Sequence, residues 1–161
     1  MQSPSSSVHS REAGFIVGET SPLGFTFVSS RDMLPPRLEY LVVPGVEERG
    51  LDTDGAPMSR RIDVLAQVVE VGIDSTILSD RLTYEETRAI LHGAYAPPPK
   101  MCGSARVVGY LAGGSVRAPR CAPSPGSAVY IASEAFLQRF FSLEITGGVI
   151  VGTLMNRPDN R

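Results

Sequence analysis

From Ala13 onward the chain is a succession of short runs of β-branched and aromatic residues, cut by Gly and Pro at a spacing of about 12 residues. Runs this short are too brief for an amphipathic helix but long enough to line one face of a sheet, so the texture points to a sandwich or a barrel. Residues 14–18, 24–28, 37–43, 64–71, 105–111, 127–131 and 148–154 read as strands. Turn residues punctuate them at Ser21-Pro22, Pro35-Pro36, Pro44-Gly45 and Pro123-Ser124-Pro125-Gly126. Residues 46–61 mix acids, Gly, Pro and Arg, and read as an exposed loop or a floppy hairpin tip.

Two segments carry helix signals. Thr83-Tyr84-Glu85-Glu86 is a capping box, in which the Thr hydroxyl and the Glu carboxylate satisfy orphan amides at a helix start. It predicts a helix that runs to His92 and ends at Gly93. A second helix opens with Ser133 as N-cap and sets Leu137, Phe140 and Phe141 on one face, which reads as core. The expected fold is mainly β: a small closed or nearly closed β-barrel of about six to seven strands with two short inserted helices. Closure is favoured because it removes the unpaired edges that so many short strands would otherwise expose. Residues 1–12 are small, polar and unpatterned and read as a disordered tail. Residues 13–157 form the barrel, and residues 158–161 begin a linker.

At 161 residues, 42% of them hydrophobic and 20% charged, the chain has enough apolar matter for one self-sufficient core. A net charge of −2 argues against a dedicated nucleic-acid binder. The polar start has no signal-peptide h-region, and no apolar run reaches the roughly 18 residues of a membrane span, so a soluble, cytoplasmic protein is expected. Cys102 and Cys121 are too few for a disulfide framework and read as buried free thiols.

Catalytic patterns are missing. A phosphate-binding loop needs a Lys after a Gly-rich turn, but the one lysine is Lys100, at the end of a proline run. ATP hydrolysis by that route is excluded for this stretch of chain. His9 and His92 are far apart, and neither cysteine has a C-x-x-C partner, so no zinc site is expected. A nucleophile pair of Cys102 or Cys121 with His92 exists in residue type only. Glu85 and Glu86 favour the helix dipole instead of forming a catalytic pair. No catalytic, cofactor-binding or metal-binding residue is therefore assigned.

The positive charge, by contrast, is nearly all arginine, 14 against the single lysine. Guanidinium forks suit ion pairs at interfaces. Residues 115–126 carry three prolines with Arg117 and Arg120, and read as a rigid connector or as a docking segment that pairs with acids on a neighbour. Arg117 and Arg120, with Arg60 and Arg61 of the 46–61 stretch, are the candidate interface residues.

The order of these pieces resembles the N-terminal region of the HerA family, archaeal and bacterial DNA translocases. The resemblance is carried by Gly14 through Val28, by Leu38 through Pro44, by Val64 through Val71, by the Pro123-Ser-Pro-Gly-Ser-Ala-Val-Tyr130 turn and strand, and by Gly147 through Leu154. It spans Gly14 to Arg157 and lies in order and spacing, since each motif is short and mostly apolar. It implies a HAS barrel, the domain type HerA shares with F-type ATP synthase subunits. Such a barrel helps hold a hexameric motor together and supports docking of the NurA nuclease, which resects DNA ends before homologous recombination. It implies no cofactor here; ATP and Mg would belong to a motor domain after Arg161, which would also contact duplex DNA. The 46–61 loop, the helical insert at 74–100 and the Ser-rich start depart from the family pattern, and no catalytic residue carries over.

Overall fold

The structure, a computed structural model, describes residues 9–51, 55–75, 77–93 and 98–141. Seven strands and two short helices follow in chain order: β1 (His9–Ser21), β2 (Gly24–Ser29), β3 (Tyr40–Leu51), β4 (Pro57–Asp74), α1 (Tyr84–Leu91), β5 (Lys100–Ala112), β6 (Ser115–Arg117), β7 (Ala128–Ala132) and α2 (Glu134–Phe140). The strands are ordered β2-β1-β7-β3-β4-β5, and β2 pairs with β5 to shut the ring. The result is a closed six-stranded antiparallel barrel, with β6 added outside on β5.

Several expectations need correction. Residues 46–61 are no loose loop: β3 and β4 stay paired from Val46↔Ile62 out to Leu51↔Pro57. Pro44-Gly45 does not end β3 but forms a bulge within it, between Val43 and Val46. Proline cannot donate to a ladder and Gly45 takes φ 68°, while the Asp63 carboxylate accepts the Gly45 N–H at 3.0 Å. The ladder then resumes. At the other end of the chain, β1 starts at His9, within the stretch expected to be tail. Residues 115–117 of the expected connector are strand β6, joined to β5 by a Gly113-Gly114 turn with both φ positive. The strand expected at 148–154 lies outside the described residues.

The apolar runs of β3 and β4 explain where the core sits. Leu41 and Val43 face the barrel interior while Val42, between them, belongs to a second cluster; Val64, Leu65 and Ala66 split the same way. Successive strand residues point to opposite faces, so an unbroken apolar run means that both faces are covered. Inside, the cover is the barrel core of Ile16, Phe25, Phe27, Val68, Val129 and their neighbours. Outside, it is α2, which packs Phe136, Leu137 and Phe140 against Val42, Leu65 and Ala132. Full burial of each such side chain contributes about 1.5–3 kcal/mol. Phe141, expected on this core face, lies at its exposed margin as the C-cap of α2; its ring edges against Tyr40 at 5.4 Å and Phe140 at 5.2 Å.

Two glycines are required by close approach. A Cβ on Gly103 would stand 2.6 Å from Phe27 Cζ, so the bare backbone of β5 is what lets that ring fill the interior. On Gly14 (φ 152°) a Cβ would stand 2.0 Å from the Val28 carbonyl oxygen.

Helix α1 is different in kind. Its capping box is complete: Thr83 Oγ1 accepts from the Glu86 N–H, and Glu86 Oε2 accepts from the Thr83 N–H at 2.8 Å. None of its residues is buried. Among the described residues its main support is local capping, with Thr87 and Ile90 only partly covered.

Candidate functional site

The paired continuation of β3 and β4 past the Gly45 bulge positions the charged side chains. Antiparallel register sets Glu47 opposite Arg61, Glu48 opposite Arg60 and Arg49 opposite Ser59. Directly opposed residues share a face, so acids and arginines of the two strands are sorted into two layers.

One layer is structural. Glu48 is only 5% exposed, and its carboxylate accepts the Arg120 N–H through both oxygens at 3.0 Å and the Cys121 N–H at 3.2 Å. A buried carboxylate is costly unless hydrogen-bonded, and these backbone donors supply that. Beside it, Arg60 donates to the hydroxyl of buried Tyr110, with its guanidinium carbon 5.2 Å from the ring centroid. Tyr110 in turn stands opposite Arg117 in the β5–β6 register.

A groove of about 660 Å³ runs along the rim of the arm, between it and the 121–127 segment, and both layers contribute to its lining. Gly45, Val46, Glu47, Arg49, Ser59, Arg60 and Arg61 line one side, and Cys121, Ala122, Ser124 and Ser127 the other. Glu47 Oε1 accepts from Arg49 Nε at 3.2 Å and from the Ser59 hydroxyl at 3.0 Å. Those bonds, the Arg49 bond foremost, hold the Glu47 carboxyl below its ordinary range. Arg61 is exposed and makes no hydrogen bond or ion pair among the described residues.

Of the four candidate arginines, the fold thus brings Arg60 and Arg61 to one groove. Arg120 is held through its backbone, with its side chain exposed, and Arg117 sits on β6 away from the groove lining. Arg49, Glu47 and Ser59 join the site only through the pairing of the 46–61 stretch, which its loop-like composition conceals. The signal was present: acids at 47 and 48 and arginines at 60 and 61 are the opposite-charge pattern of a hairpin's two arms.

Cys102 and Cys121 are free thiols, half-buried and not fully enclosed; Cys102 Sγ donates to the Gly72 carbonyl at 3.7 Å. His92 caps the C-terminal end of α1 and is exposed. Among the described residues no three His, Cys, Asp or Glu side chains converge as metal ligands would, and no helix is long and apolar enough to cross a membrane. No family model and no curated protein matches this chain.

Proposed function

We propose that this chain is a non-catalytic interaction barrel of a HerA-type DNA translocase, supporting hexamer assembly and the docking of a NurA-type nuclease in DNA end resection. The observation that carries the reading is where the resembling motifs fall. Gly14 through Val28 is the β1–β2 hairpin, Leu38 through Pro44 leads into and runs along β3, Val64 through Val71 lies in β4, and Pro123 through Tyr130 leads into β7. These are neighbouring staves of one closed barrel. That the four motifs fall on adjacent staves supports a shared architecture, and the arginine-bearing β3–β4 arm offers a surface for a partner.

The reading is tested by co-expressing the chain with a NurA-type nuclease and measuring capture on affinity resin. Stoichiometric capture is expected, and its failure at micromolar concentrations overturns the partner assignment. Duplex DNA is expected to bind weakly at physiological salt, since the chain carries a net charge of −2. Tight retardation in a gel shift contradicts that expectation. A reading frame that continues past Arg161 into Gly-x-x-x-x-Gly-Lys-Ser/Thr would support the motor context directly.

A second reading, a free-standing barrel that binds a peptide or small ligand, is favoured by the groove. The sequence displays no convergent polar cluster, yet the fold assembles one from Glu47, Arg49, Ser59 and Arg61.

A further inference from the structure

We infer that the groove between the β3–β4 arm and residues 121–127 is a docking site for a short acidic peptide segment of a partner protein. The inference rests on the interaction-module reading and names the chemistry of what is bound.

Charge is the first ground. Three guanidiniums, of Arg49, Arg60 and Arg61, line the groove against one carboxylate, Glu47, leaving a surplus of two positive charges on a chain whose total is −2. The cations are only partly spent internally. Arg61 makes no hydrogen bond among the described residues and shares the charge of Glu47, opposite it, with Arg49. Arg49 commits only its Nε and keeps its Nη donors for bidentate contact with a carboxylate. The packing of Arg60 on Tyr110 and the bonds around Glu47 hold the floor in place before anything binds.

The second ground is what else the groove offers. Cys121 and Ala122 add a small apolar strip, and the Ser59, Ser124 and Ser127 hydroxyls add donors and acceptors. Past Val42, β3 has no strand partner on its edge away from β4 among the described residues, so backbone N–H and C=O groups there are open to an extended segment. A peptide matches all three features: carboxylates for the arginines, a small apolar residue for the strip, and amides that both donate and accept. A phosphodiester backbone has no donor for the strand carbonyls, whereas a peptide supplies one at every other amide.

The test uses the full chain and a short fluorescein-labelled peptide of alternating Glu and Val, with a Gln-for-Glu version as control. Anisotropy is expected to show salt-dependent binding of the acidic peptide and at least about tenfold weaker binding of the control. The double variant Arg49→Gln with Arg61→Gln, which keeps side-chain length on two exposed positions without setting new acids beside Glu47, is expected to lose binding by a similar factor while it melts within a few degrees of the parent. Equal binding of the two peptides, unchanged binding by the double variant, or displacement of the peptide by equimolar single-stranded DNA overturns the inference. The two readings fail separately. Nuclease capture that survives the double variant removes the groove and leaves the partner assignment standing, whereas peptide binding without nuclease capture does the reverse.

Discussion

The carboxylate of Glu48, on β3, holds the backbone of Arg120 by accepting its N–H through both oxygens at 3.0 Å. The two residues are 72 positions apart, and the contact fastens the 121–127 wall to the arm that forms the other side of the groove. An acid in a charged run thus serves as an internal acceptor, and an arginine singled out for its side chain matters here for its amide.

Replacing Glu48 by Ala strands the Arg120 and Cys121 amides and should cost about 3 kcal/mol in urea denaturation. Glu48→Gln keeps one acceptor oxygen and should recover roughly half of that loss. A Glu48→Ala protein as stable as the parent would mean that the wall is held by other contacts.

Gly103→Ala should cost about 3 kcal/mol, through collision of the new methyl with the buried Phe27 ring. Pairing it with Phe27→Leu should restore part of the loss. A double variant whose cost equals the sum of the single costs would show that the ring is not what the methyl meets.

Thr83→Ala removes the cap of α1 and should weaken that helix by about 1 kcal/mol. Because α1 buries nothing, amide exchange within residues 84–91 should speed up while the global melting temperature stays constant. The Glu86 carboxyl is held below its ordinary range by the Thr83 amide and then the Thr83 hydroxyl. A depressed folded value means that its contribution is fully present above the ordinary glutamate range and lost as pH falls through the depressed one. Protection of the α1 amides, taken relative to their intrinsic exchange rates, should therefore fall as pH drops through the range where Glu86 protonates, and a Glu86→Gln variant should show no such fall.

Tyr110→Phe keeps the ring in the core and removes the hydroxyl that receives Arg60. A loss of about 1 kcal/mol is expected, with weaker binding of acidic peptides as the Arg60 side chain loosens. Unchanged stability together with unchanged peptide binding would contradict both expectations.

The barrel could be read from the sequence because its determinants are local. Apolar runs at 64–71 and 105–111 lie within β4 and β5, and the two caps at Thr83 and Ser133 start α1 and α2 as expected. The site could not be read in the same way. Pro44-Gly45 stops a strand unless a distant side chain replaces the lost ladder bond, and Asp63 does so from across the hairpin. Once β3 was ended there, the arm and its register vanished, and with them the pairing of Glu47 with Arg61. Phe141 illustrates the same limit. Helical spacing puts it beside Phe140, as found, but whether the margin of a helix face is covered depends on what packs there, which spacing does not encode.

The β4–β5 ladder runs without a gap in its outer rungs to Asp74↔Lys100, where the chain leaves the barrel and returns. The exit and re-entry points are already clamped one strand spacing apart, so whatever lies between them closes a loop whose ends need not be brought together. Added length there costs only a slowly growing entropy, about 0.6 kcal/mol per doubling. The barrel thus carries a ready-made socket: a tight turn or a foreign domain joined at Asp74 and Lys100 should leave the staves in register.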